Sequence, residues 1–574
     1  MNSLKYKWLI GAFCIASLTY SCKDDVLDIK PTDFVSDAAV FSDISLTSQF
    51  VTNIYSSLLS GFERRDAGLG QDWSVGFGLL DMATDDIEGH ASLNVNSVQN
   101  GDLTPSNFNF SIEMWQANYV VIRKANTLLA RIDAVPATDA ALKARLKAEG
   151  RFLRAFAYQE LIKAFGGVPL ITTEQKVSDD LLVPRNSFEE CVNFIVKECD
   201  EAAADLPVSY SDIELGRATK GAALALKARV LLYYASPLHN PTNDVNRWKN
   251  AADAAKAVMD LGVYDLHPDY YRLFLDKMGN KEVIFAKKYQ RPGRIHETAW
   301  KLGMSIQAPA VIGGVWGAFH ATQNLVDAYE MKNGKPISDP SSGYDPQNPY
   351  KDRDSRLDMS LLRNGSQWKG VTVETFEGGN ANMAANGDRT KTGYGLKKMM
   401  DEKYVTADQV YQGGDNDWLF IRYAEVLLNY AEARNEQSGP DATVYTAINK
   451  VRDRADQPDL AGLTQAQLRE RIRNERRVEL SFEEHRFFDV RRWKVGSTYF
   501  NQPVKRMKIV KNINGTFTYS VENLENRIYN EAFNLLPIPQ IERERNPNLG
   551  QNLGYNQLKE RGFQGSSLLT QNTN

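Results

Sequence analysis

From Glu113 to Asp260 apolar residues recur at helical spacing, and each run closes on a stop signal. The segment "ALKARLKAEGRFLRAFAYQELIKAFGGVPL" places Leu142, Leu146, Leu153, Ala157, Leu161 and Ala164 on one face. Gly166 and Gly167 end it, with Pro169 just beyond, because glycine accepts the left-handed cap and proline cannot continue a helix. "SFEECVNFIVKECDEAAADL" opens with Ser187 three residues before Glu190, the spacing of a capping box. "KGAALALKARVLLYYASP" is rich in small residues, so its helix can approach neighbours closely, and Pro237 halts it. Helix starts near 113, 140, 187, 217 and 246 predict stacked antiparallel pairs, with no strict 34-residue period.

Between Gly262 and about Asp417 that period fades. "GGVWGAF" and "FEGGNANMAANGD" read as loops, and long irregular stretches in a compact chain are more often functional. Helices resume in "WLFIRYAEVLLNYAEARNEQ", "ATVYTAINKVRDRA" and "TQAQLRERIRNERRVELSFEE", the last opening on the capping pair Thr464 and Gln467. Beyond Trp493 the chain is rich in Pro and Asn, with "GTFTYSVE" as a hairpin strand. The fold class expected is mostly α, with an irregular lobe and a few short strands.

The N-terminus carries Lys5 and Lys7 before an apolar run, Trp8 to Leu18, too short to span a bilayer. It reads as a signal peptide ending at "LTYSC", a cleavage context similar to a bacterial lipobox with Cys22 as the lipidated residue. Thr19 stands where that pattern usually has Leu. Lys23, Asp24 and Asp25 follow, and an acidic run there resembles the export signal of surface lipoproteins. Cys191 and Cys199 lie eight residues apart on one helical stripe, about 12 Å along the axis. That is too far for a disulfide, so both read as buried thiols.

The densest charged run, "RNERRVELSFEEHRFFDVRRW", poses a sharper question. On a helix, Leu468, Ile472, Glu475, Glu479, Phe482 and Glu483 share one face, while Arg469, Arg473 and Arg477 stack on another. Carboxylates on an apolar face need cationic partners from another element, which "FFDVRRW" or "NKVRDRA" could supply. From Arg469 to Trp493 eight arginines face six acids, too balanced for a nucleic-acid footprint, and the net charge of −4 agrees. Catalysis by His485 with Glu483 or Glu484 is the lesser reading; structural ion pairing is the stronger one.

"ERRVELSFEEHRFFDVRRW" closely resembles the C-terminal signature of the SusD/RagB family of outer-membrane nutrient-binding lipoproteins. "LDIKPTDFVSDAAVF", "WQANYVVIRKANTLLARID", "AEGRFLRAFAYQELIKAFGGVPLI" and "ALKARVLLYYASPL" agree in order. So do "TGYGLKK", "RYAEVLLNYAEARNE", "INKVRDRA" and "LLPIPQIERERNPNLGQNLGY". The resemblance implies a tetratricopeptide-like helix-pair scaffold supporting a loop-rich ligand lobe. It further implies a lipid-anchored protein of the outer-membrane surface that binds oligosaccharide, or in some members peptide. Its partner would be a SusC-like TonB-dependent transporter, over whose barrel it would act as a lid. The expected division is a signal peptide (1–21), an anchor and extended segment (22–44), helical scaffold (45–262), ligand lobe (263–417), scaffold again (418–493) and a packing segment (494–574).

No P-loop, HExxH, paired CxxC or GxSxG motif occurs, and no cofactor is implied. "TDDIEGH", Thr84 to His90, could offer oxygens and an imidazole to a metal, but reads more readily as a solvated loop or helix start. A glycan hydrolase is the competing class, since a carboxylate dyad is recognised by separation in space. A sugar presents apolar C–H faces and a rim of hydroxyls, so its site wants flat aromatics and a few polar side chains. Of nine tryptophans, Trp115, Trp248, Trp418 and Trp493 fall on or beside helices and read as structural. Trp73, Trp300, Trp316 and Trp368 lie in Gly-rich or polar surroundings and are the stacking candidates; Asp72, Arg294 and Asn324 are the polar ones.

Overall fold

The computed structural model describes residues 37–63, 80–89, 95–296, 319–381, 390–406 and 412–555, with a few isolated positions between them. The signal peptide and Cys22 lie outside the described residues. Helices α1 (Ile44–Ser56), α2 (Asn109–Arg131), α3 (Ala140–Phe165), α4 (Phe188–Asp205), α5 (Lys220–Ala235) and α6 (Val245–Met259) build the first block. After the irregular stretch come α7 (Tyr423–Ser438), α8 (Ala442–Arg454), α9 (Gln465–Glu479) and α10 (His485–Arg492).

Local chemistry sets the ends. Asp139 caps α3, whose last turn closes on Gly166 at φ 73°. Ser187 and Glu190 form the reciprocal capping box of α4, as Thr464 and Gln467 do for α9. The α9 helix stops at Glu479 rather than running to Glu484, because Phe482 and Glu484 take left-handed backbone at φ 66° and 64°.

Neighbours in sequence pack as neighbours in space: α2 on α3, α3 on α4, α4 on α5, α5 on α6. The array then skips the irregular stretch, and α7 packs on α6 as if it were the next helix. Helix α3 sits mid-array and is buried nearly all round from Ala148 onward, which its sequence face only half announced. Cys191 and Cys199 are buried and unbonded, and burial pushes the Cys191 thiol up to about 11.

Strands pair two to a sheet among the described residues, and all but those of the C-terminal hairpin are short. β1 (Ile87–Gly89) pairs antiparallel with β3 (Phe319–Ala321), and β2 (Val283–Lys287) with β4 (Trp418–Arg422). The expected hairpin is β5 (Pro503–Lys511) with β6 (Phe517–Asn526). The β2–β4 pair is sewn to the scaffold by aromatic rings. Phe285 lies edge-on to Phe152 at 4.9 Å and Phe156 at 5.4 Å, and stacks on Phe420 at 5.3 Å.

Candidate functional site

The charged run is a buried ion-pair lattice. Glu479 accepts from Arg422 at 2.6 Å and Arg356 at 2.9 Å, and also pairs with Arg454. Glu475 meets Arg356 at 2.5 Å and Arg452 at 2.9 Å, while Glu483 meets Arg422 and Lys398, both at 2.8 Å. These partners come from β4, α8, the turn at 354–356 and the loop at 398, so the lattice locks the irregular lobe to the helices. Burial alone would push the Glu479 carboxyl up, but the guanidinium groups of Arg454, Arg422 and Arg356 hold it well below the usual range.

The arginine stripe is likewise partnered: Arg469 with Glu436, Arg473 with Glu470, and Arg477 with Asp85 and Asp86. "TDDIEGH" therefore supplies counter-ions to Arg477 and Arg486 through its aspartates. Among the described residues no group of His, Cys, Asp and Glu is arranged to hold a metal. His485 is pulled down to about 4 by burial, hence neutral at pH 7, and borders a void of about 30 Å³. That void is too small for a substrate.

The lattice carries a pH prediction. Glu425, beside Arg229, is lowered to about 2: burial opposes this, and the arginine outweighs it. A depressed carboxylate stabilises the fold above its unfolded value of roughly 4.3 and loses that contribution as pH falls through the folded value. Asp81 works oppositely, since burial and then Asp86 push it well up, so protonation favours the fold there. Thermal unfolding is expected to shift steeply downward from about pH 4.5 toward pH 2, and Glu425→Gln should flatten that slope. A slope unchanged in the variant would contradict an ionised Glu425.

Of the glycan candidates, Asp72, Trp73, Trp300 and Trp316 lie outside the described residues. Trp368 is a correction. It sits in a tight hairpin, Gln367–Trp368 with Val371–Thr372, turned by Lys369 at φ 50° and Gly370 at φ 79°. Alternation sends Gln367 outward and Trp368 inward, only 5% exposed, so it offers no stacking face. Asn324 is engaged in the fold: it donates to the Pro503 carbonyl at 3.1 Å and accepts from Lys505 N at 2.8 Å, pinning β5. Arg294 alone of the described candidates stays on the surface, its side chain 38% exposed.

The described flanks of the tryptophan-bearing stretches are fastened to one another. Glu63, just before 64–79, takes Arg294 at 2.8 Å and also Lys287. Phe62 stacks on His296, the last described residue before Trp300, at 4.1 Å and 26°. His296 exchanges main-chain bonds with Gly414, and its Nε2 meets Asn416. Gly61 must be glycine, since a Cβ there would lie 2.3 Å from the Trp418 ring. At the far ends, Leu80 N donates to the Glu484 carboxylate, and Gly89 pairs with Phe319. Leu59, Trp418 and Glu484 border one small void, which sets the Leu80 fastening near Trp418, the ring that Phe62 meets edge-on at 5.0 Å. Glu63 and His296 carried no sequence signal, because each is defined by a partner more than 200 positions away.

Two family profiles match this chain: the SusD family over residues 281–555, and a group described as starch-binding and associating with the outer membrane over residues 43–232. A SusD-like protein of Formosa agariphila, P25, is 24% identical over 565 residues, 94% of this chain and 96% of its own. The crystal structure of a SusD-like protein from Bacteroides fragilis superposes with a TM-score of 0.76 at 30% identity, covering 91% of this chain and 99% of its own. A SusD-like carbohydrate-binding protein from the same species gives 0.75 at 27% identity, covering 89% and 99%.

Proposed function

We propose, from the premise that this chain belongs to the SusD family, that it captures oligosaccharide at the outer-membrane surface without cleaving it. It would be anchored through lipid on Cys22 and pass its ligand to a SusC-like TonB-dependent transporter. The observation that carries the reading is the clasp of Phe62, Glu63, Arg294 and His296 at the roots of the two tryptophan-bearing stretches. A rigid scaffold edge that fastens both roots is what an aromatic sugar platform requires. Trp73, Trp300 and Trp316 would stack on sugar faces, with Asp72 and Arg294 as polar neighbours. The relative described as carbohydrate-binding supports a glycan over a peptide.

The test is binding of purified protein to a panel of polysaccharides, with reducing ends measured in parallel. Binding without product release is expected. Trp73→Ala or Trp300→Ala should weaken it by about 1–3 kcal/mol, taking base–aromatic stacking as the analogue, with the melting temperature unchanged. Steady product release, abolished by changing a single carboxylate, would make the protein a hydrolase. Selective binding of oligopeptides instead would move the ligand class.

A further inference from the structure

Beside the clasp lies a cleft whose described lining comes from α1, the loop before α5, the turn 273–281 and β2. It consists of two adjoining hollows of about 390 and 380 Å³ that share Leu215, Gly216, Arg217, Ala286 and Lys288. Its walls are the loop 208–217, the start of α5, the turn 273–281 and strand β2. Each hollow is within the size range of small-ligand sites, roughly 300–1,000 Å³. Arg294 stands in the wall of one hollow while it pairs with Glu63, so the cleft opens next to the roots of the tryptophan-bearing stretches.

Its chemistry is mixed in a particular way. Tyr55, Tyr210 and Tyr264 are half-buried in the walls, and Val208 and Leu215 are exposed on them, giving apolar surface on which a flat face can rest. The cations are already matched: Arg217 with Glu149 at 2.8 Å, Lys277 with Asp415 at 3.5 Å, Lys288 with Asp417, and Arg294 with Glu63 at 2.8 Å. Among the described lining residues, Lys281 is the cation with no carboxylate at ion-pair distance. The enclosed Tyr210 hydroxyl has no hydrogen-bond partner among the described residues.

A purely hydrocarbon ligand would strip water from these ammonium and carboxylate groups and return no hydrogen bonds. An anionic ligand would find Lys281 and otherwise compete with carboxylates already in place. A neutral polyhydroxylated ligand with an apolar face meets both demands. Its hydroxyls can accept from spare lysine N–H groups and donate to carboxylates, and its C–H face can lie on the tyrosines. We infer that this cleft is a second saccharide-binding site, for neutral oligosaccharide, next to the described roots of the tryptophan-bearing stretches. The inference rests on the glycan-binding reading and extends it: one long glycan could be held at two points, raising avidity without new contacts at either.

Hydrogen–deuterium exchange of the full chain with maltoheptaose, cellohexaose and an oligogalacturonate of similar length tests this. At least one neutral probe should protect residues 208–219 and 273–288, and the anionic probe should not. Tyr210→Ala with Lys281→Ala should remove that protection and weaken binding of the protecting probe about fivefold or more, leaving the melting temperature within a degree or two. Protection by a neutral probe confined to 64–79 and 297–316 would overturn the second site and leave the proposed function standing. Protection of the cleft alone would support the second site and overturn the tryptophan platform. Protection of the cleft by oligogalacturonate would overturn its neutral character. No protection anywhere by either neutral probe would overturn both readings.

Discussion

Replacing Glu479 by alanine is expected to lower folding stability by about 3–5 kcal/mol, the usual cost of removing one partner from a buried ion pair. Its carboxylate is fully buried and shared by Arg356, Arg422 and Arg454. Truncation leaves these guanidinium groups with fewer counter-charges and no water to replace the lost one. Arg422 keeps Glu282 and Glu483, and Arg356 keeps Asp354 and Glu475, so the lattice should weaken rather than vanish. Glu470→Ala is the control, since that side chain is 57% exposed and pairs within its own helix. It should change stability by less than about 0.5 kcal/mol. Chemical denaturation of both variants decides: a loss under 1 kcal/mol for Glu479→Ala would mean the lattice is not the clamp between lobe and helices.

Phe285→Ala should be comparably severe, at about 3–5 kcal/mol. The ring is 2% exposed and meets Phe152, Phe156 and Phe420, so its loss opens a cavity where β2 meets α3. Rings from a helix and from two strands close that space, and such a mixed junction collapses poorly into a void. Phe285→Leu, which keeps most of the volume, should lose much less, about 1–1.5 kcal/mol. Equal losses in the two variants would show that ring edge contacts, rather than filled volume, matter there. Because β2 also forms a wall of the cleft beside the clasp, Phe285→Ala should blunt protection there by neutral sugars even at temperatures where it stays folded.

Several things were legible in the chain because their causes are local. Helix ends followed from Ser187 with Glu190, Thr464 with Gln467, and Gly166, each acting within one turn of its own backbone. The need for foreign partners at Glu475 and Glu479 was legible too, since a carboxylate placed among Leu468 and Ile472 cannot stay unpaired. Of the two segments offered as partners, "NKVRDRA" answers, through Arg452 to Glu475 and Arg454 to Glu479, whereas Arg492 of "FFDVRRW" pairs with Glu432 and Asp489; Arg356 and Arg422, 123 and 57 positions from Glu479, had no such signal.

Tertiary structure decided the rest. That α7 docks on α6 across the irregular stretch depends on matching surfaces, which no period within either helix encodes. Trp368 looked like a platform because Lys369 and Gly370 promise a loop, yet the turn is tight enough to form a hairpin whose alternation buries the ring. Asn324, a polar binding candidate by sequence, is bound to the β5 backbone. The clasp and the cleft gather residues from α1, the loop before α5, β2 and the segment leading into β4, as in Ser60 with Tyr289 and Lys277 with Asp415. Sequence settles what one turn of helix or one hairpin can satisfy alone; burial of a ring or pairing of a distant charge is settled only when the whole chain has closed around it.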